Sequence, residues 1–134
     1  MVVDDTSDDL MLFQRAVNQG DTVREIKLTE ARSAETALRK MALPSVVPDL
    51  IFLDLHLAEL SGMDLLQMLK ESERTRHVPV IILTGNENGA LIKAAISEGA
   101  SSYIFKDGDP EVYFSALRAV LVYWVDYHQV PPYR

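Results

Sequence analysis

The 134-residue sequence contains no cysteine, so disulfides, thiol nucleophiles and cysteine-ligated zinc are all excluded. It also has a deficit of basic residues. Thirteen Lys and Arg face twenty Asp and Glu, for a formal net charge of −7. A surface that grips nucleic acid needs a basic patch for phosphates, so no nucleic-acid partner is expected. Long hydrophobic runs are missing as well, and no stretch approaches the length of a membrane span. Asp4 and Asp5 fall where the apolar core of an export signal would begin, which points to a cytoplasmic protein away from the membrane. The three histidines, His56, His77 and His128, are scattered without metal-ligand spacing.

What is present is the ordinary balance of a globular domain. Apolar residues make up 48% and charged residues 25%, enough for one domain with one good core over residues 1–134. Along the chain, short apolar runs alternate with helical periodicity. Strands are expected at "MVV" (1–3), "EIKL" (25–28), "LIFL" (50–53), "VIIL" (80–83) and "YIF" (103–105). The first of these is cut short by the start of the sequence.

Helices are expected from Ser7 to about Asn18, stopped by Gly20, and around Ala34, Ala37, Leu38 and Met41 behind an N-cap at Ser33. A third carries Leu65, Leu66 and Leu69 behind Ser61, where Asp64 takes the acidic place of a capping box. A fourth runs from Ala90 to Glu98 and is closed by Gly99, and a fifth from Pro110 to about His128. Continuous apolar strands interleaved with helices predict an α/β fold. It is a doubly wound, five-stranded parallel sheet with five helices on its two faces, a three-layer sandwich.

In such a sheet, ligands bind beyond the carboxyl ends of the strands. Those ends carry Asp4 and Asp5, then Asp54, then Thr84 and Gly85, then Lys106. Three carboxylates brought together repel one another, and a hard divalent cation such as Mg²⁺ resolves that repulsion with oxygen ligands. With an ammonium and a hydroxyl beside them, they suit a transferring phosphoryl group, and one carboxylate can serve as its nucleophile.

"VVDD" (2–5), "LIFLDL" (50–55), Gly62, "IILTG" (81–85) and "YIFK" (103–106), in that order, resemble the receiver domain of two-component response regulators. The resemblance covers essentially the whole chain and implies a flavodoxin-like, CheY-like fold. It implies that Asp54 accepts a phosphoryl group from a sensor histidine kinase. Asp4, Asp5, Asp54 and the backbone carbonyl of His56 would bind Mg²⁺. Lys106 would pair with the acceptor and then the phosphate. Thr84 would bond a phosphate oxygen, Tyr103 would change rotamer with it, and Gly85 would leave room for the donor. Such a chain catalyses its own phosphorylation and dephosphorylation and is not a turnover enzyme. An aspartate-nucleophile phosphohydrolase would need a second acid where His56 stands. A degenerate receiver acting as a constitutive interaction module is the alternative reading.

Several positions depart from the family pattern. Asp107 follows Lys106 where proline is usual, and Ala58 stands where the acceptor loop has proline. His56 and Asn86 flank the pocket, where side chains tend to govern attacking water. Beyond the last receiver helix there is no room for a second domain, so a protein-binding surface is the expected output. Leu117, Leu121, Trp124 and His128 form one stripe of that helix, and Val120, Tyr123 and Tyr127 an adjacent one. The final helix and tail, 117–134, resemble the C-terminus of single-domain regulators that partner bacterial phytochrome kinases. That resemblance implies a homodimer through the last helix, and a downstream protein target.

Overall fold

A computed structural model describes residues 1–19, 21–57, 59–85, 89–106 and 108–128. Gly20, Ala58, Asn86, Asp107 and the tail from residue 129 lie outside the described residues. The elements alternate throughout: β1 (Val2–Val3), α1 (Ser7–Asn18), β2 (Glu30–Ala31), α2 (Ala34–Met41), β3 (Ile51–Asp54), α3 (Gly62–Glu71), β4 (Val80–Thr84), α4 (Gly89–Ser97), β5 (Ser102–Phe105) and α5 (Pro110–Val122). The strands form one sheet, ordered β2-β1-β3-β4-β5, with every pairing parallel.

The continuous apolar runs are explained by burial on both faces. Val3, Ile51, Leu53, Val80 and Ile82 point to one side, against α2, α3 and Ala95 of α4. Their neighbours Val2, Phe52, Ile81, Leu83 and Ile104 point to the other, against Leu10 and Phe13 of α1 and Tyr113, Leu117 and Leu121 of α5. The sheet is therefore doubly wound. The chain reverses direction about β1, which places the carboxyl ends of β1 and β3 side by side at the switch point.

The expected caps are present, with one difference. Ser33 accepts from the N–H of Thr36, and Ser61 from that of Asp64. The return half of the Ser61 box is different: its hydroxyl donates to the Asp64 carboxylate at 2.9 Å. Aspartate is one methylene shorter than the glutamate that reaches back to the cap N–H in a full box.

One expected element needs correction, and another continues in a different helical form. "EIKL" (25–28) is not a strand; β2 is only Glu30–Ala31. Its ladder is as short as β1, which offers Val2 and Val3 as partners. Ile26 and Leu28 still pack on the core, but Glu25–Leu28 pairs with no strand among the described residues. The final helix does continue past Val122, but as a π-helical turn, Tyr123–Tyr127, in which the His128 N–H bonds the Tyr123 carbonyl at 2.8 Å. Asp126 on that turn accepts the N–H groups of Val23 and Arg24 at 2.9 and 3.0 Å, tying the end of the helix to the loop after α1.

Beside the unpaired segment lies a cleft of about 470 Å³, lined by Met1, Ile26, Leu28, Val46, Leu50 and Trp124 among others. The Met1 ammonium donates to the Leu50 carbonyl at 2.8 Å, the bond a continuing β1 would make. Burial pushes that ammonium from 8.0 down to about 6, with Asp49 pulling the other way. The unfolded chain thus holds the proton more tightly. The cost is full below pH 6 and gone above pH 8, so stability rises across that window, by on the order of 2 kcal/mol. Appending Ile-Leu-Val ahead of Met1 replaces the ammonium with an amide and offers both edges a partner. Melting temperature is expected to rise by several degrees relative to a Gly-Ser-Gly extension. Both extensions should lose the pH 6–8 dependence in melts of the three chains.

Candidate functional site

Asp4, Asp5, Asp54, Thr84 and Lys106, drawn from four strands, meet at one edge of the sheet. Each follows or ends an apolar strand whose neighbours are fixed by register: Val3 pairs with Leu53, Asp54 with Leu83, and Thr84 with Phe105. The Lys106 N–H bonds the Thr84 carbonyl at 2.8 Å, which locks the end of β5 to the end of β4. Asp4, Asp54 and Thr84 are buried, whereas Asp5 is exposed.

The two buried acids are held in the same way. One oxygen of Asp4 accepts the Thr6 N–H at 3.0 Å, and one oxygen of Asp54 accepts the His56 N–H at 2.9 Å. The second oxygen of each turns to the Lys106 ammonium, at 2.7 Å for Asp4 and 3.2 Å for Asp54. Oxygens of Asp4, Asp5 and Asp54 all come within 4.8 Å of one another. Three carboxylates this close, with only hard oxygen donors, fit Mg²⁺ or a similar divalent cation, which is satisfied by a few carboxylates and keeps water for the rest.

Sequence reasoning missed a fourth acid. Asp9, in the first turn of α1, reaches Lys106 at 2.9 Å. The sequence marks it only as one of two acids, with Asp8, in the first turn of a helix that begins at the strand end. Tyr113 of α5 was also missed. It is buried near the same charges, and burial pushes its phenol well up, with Lys106 acting the other way.

Lys106 is shared by three carboxylates, which makes the electrostatics asymmetric. Burial works against its charge, but bonds to Asp4 and Asp9 and the nearby Asp54 outweigh that and hold it above the ordinary lysine range. Asp4 has only a share of one ammonium. Burial is its largest influence and raises its carboxyl, against Lys106 and the Thr6 N–H, and Asp54 adds to the rise. A carboxylate raised in the folded state stabilises it below the ordinary pKa and loses that contribution as pH rises through the folded value. Asp4→Asn is expected to weaken Mg²⁺ binding in calorimetric titration, because the cluster loses one of its three carboxylates.

Tyr103 was expected to be a candidate switch, with a packed strand tyrosine as the plainer reading. It pairs in register with Ile82 and is 46% exposed, so it is not packed into the core. Asn86, Ala58 and Asp107 are the flanking positions that fall outside the described residues.

A doubly wound sheet with three acids and a lysine gathered at the carboxyl edge of its strands is the arrangement of a signal-receiving domain. Residues 1–118 match the family described as the response regulator receiver domain, and the chain belongs to that family. One relative is a probable cyclic di-GMP phosphodiesterase of Vibrio cholerae, 31% identical over 106 residues, which are 79% of this chain. The aligned region is 22% of that protein's length. Among solved structures, the Mn²⁺-bound form of the response regulator Rcp1 superposes with a TM-score of 0.88 at 23% identity, over 97% of this chain and 96% of that one. The phosphorylated cyanobacterial phytochrome response regulator RcpA gives 0.89 at 22% identity, over 97% and 95%. At these identities the likeness is one of fold. Among the described residues, no helix is long and apolar enough to cross a membrane.

Proposed function

We propose that the chain is a phosphorylation switch in which Asp54 takes a phosphoryl group from the phosphohistidine of a sensor kinase. The observation that carries this reading is the trio of acids within 4.8 Å of one another, with Lys106 at 3.2 Å from Asp54. The Asp54 oxygen that faces Lys106, not the one held by the His56 N–H, would attack phosphorus. An O–P bond forms, the P–N bond to the donor imidazole breaks, and the leaving nitrogen keeps the electron pair. Mg²⁺ bound by Asp4, Asp5, Asp54 and the His56 carbonyl would supply charge neutralisation for the phosphoryl oxygens. Lys106 offers an ammonium to those oxygens, and Thr84 a hydroxyl. The backbone N–H of His56 holds Asp54 in place for attack.

The signal then passes as a shift between two conformations, read by a protein partner. Val112, Tyr123 and Tyr127 are exposed on α5 and the turn after it, Tyr127 at 70%. A symmetric second copy or a downstream protein covering this face is consistent with their exposure. The C-terminal sequence and the fold likeness to RcpA support a phytochrome-type kinase as the donor. The alternative is a receiver that no longer takes phosphate and works as a constitutive interaction module.

Acetyl phosphate with Mg²⁺, followed by intact mass, separates the two readings. Gain of one phosphoryl group supports the switch, and an unmodified chain supports the module. Light scattering at high concentration, with and without beryllofluoride, tests the homodimer; a monomer in both states removes it.

A further inference from the structure

The Lys106 ammonium donates to Asp4 at 2.7 Å and to Asp9 at 2.9 Å, and pairs with Asp54 only as a charge at 3.2 Å. The longest contact is the one to the acceptor. An oxygen of a phosphoryl group on Asp54 must share Lys106 with both of these carboxylates, whose bonds fix where the ammonium sits. Asp4 belongs to the trio that fits a cation, and a cation drawing on that carboxylate loosens its hold on the lysine. Asp9 stands outside the trio, on α1, with its side chain 30% exposed. It keeps its claim on Lys106 whatever the trio holds, and it is solvated enough to release the lysine at small cost.

We propose that Asp9 is a positioning residue that holds Lys106 back from the anion on Asp54 and so sets how tightly the site grips a phosphoryl group. The inference rests on the phosphoacceptor reading above. It makes Asp9 a tuning element on a helix rather than part of the strand-end set. A merely structural role, favouring the first turn of α1 through the helix dipole, would be shared by Asp8. Asp8 is exposed and makes no ion pair with Lys106, so it serves as the control.

Titration with beryllofluoride at saturating Mg²⁺, and with Mg²⁺ alone, is to be run on the wild type, Asp9→Asn, Asp9→Glu and Asp8→Asn. For Asp9→Asn the expected results have opposite signs. Beryllofluoride binds about threefold to fivefold tighter, because the lysine loses a competitor. Mg²⁺ alone binds more weakly, because a negative charge is gone and Lys106 leans further onto the trio. Asp9→Glu restores both affinities toward wild type, and Asp8→Asn matches wild type. Unchanged or weaker beryllofluoride binding in Asp9→Asn overturns the proposal, as does an equal gain in Asp8→Asn. If the wild type binds no beryllofluoride, the phosphoacceptor reading fails first. The Mg²⁺ arm then still decides Asp9, since equal or tighter Mg²⁺ binding in Asp9→Asn overturns its hold on Lys106.

Discussion

Asp54→Asn is expected to leave the chain folded and unable to take up a phosphoryl group. The side chain sits at the end of β3, 5% exposed, with one oxygen on the His56 N–H and the other facing Lys106. Asparagine keeps the shape and the oxygen that accepts from His56. It loses the anionic oxygen that, on the proposed reading, would attack phosphorus, and a neutral amide is no nucleophile. The stability change is expected to stay within about 1 kcal/mol, because the lost pairing to Lys106 is offset by one less negative charge among Asp4, Asp5 and Asp9. Lys106 remains paired with Asp4 and Asp9. Intact mass after acetyl phosphate and Mg²⁺ should show no added phosphoryl group in the variant, and a thermal melt should overlay that of the wild type. Modification that persists in Asp54→Asn would move the acceptor to another acid of the edge.

The inner strands were legible because the sheet is covered on both faces, which turns "LIFL" and "VIIL" into uninterrupted apolar runs. Once the sheet is known to be parallel, the residues just past each run must share an edge, so Asp4, Asp5, Asp54, Thr84 and Lys106 could be gathered without coordinates. The same reasoning has no purchase on an edge strand. Glu25–Leu28 has the alternation of a strand, but pairing depends on a neighbour, and β1 is too short to supply one there. Asp9 escaped for a different reason. It reaches the site from the first turns of a helix, where acids are ordinary companions of the dipole, and only the position of the Lys106 ammonium distinguishes it from Asp8. The π-helical turn after Val122 is also silent in the sequence. Its cause is tertiary: Asp126 is drawn to the backbone of Val23 and Arg24, more than a hundred positions earlier, while Trp124 packs on the core.

Gly62→Ala should be among the most damaging single-methyl changes available to this chain, and its effect should reach the acceptor. After β3 the backbone loops out and returns so closely that the Gly62 N–H bonds the Leu55 carbonyl at 3.3 Å. A Cβ at position 62 would lie 2.4 Å from the Asp54 carbonyl oxygen and 2.5 Å from the Leu55 Cα. Both are backbone atoms, so no rotamer change relieves the contact. Either α3 shifts outward or the end of β3 moves. The first is opposed by Leu65, Leu66 and Leu69, which are buried in the core. The second displaces Asp54 from the His56 N–H and Lys106 that fix it. Overpacking of this kind costs about 2–3 kcal/mol, and the melting temperature should fall by roughly 10 °C. A control at Gly89, where an added Cβ meets nothing within 4 Å, should melt close to the wild type. Phosphorylation by acetyl phosphate, measured well below the melting temperature, should slow in Gly62→Ala and stay normal in Gly89→Ala. A Gly62→Ala chain with wild-type stability and rate would mean that the return of the chain onto Asp54 is looser than its geometry implies. Rigid support of the nucleophile by the backbone of Gly62 would then have to be given up.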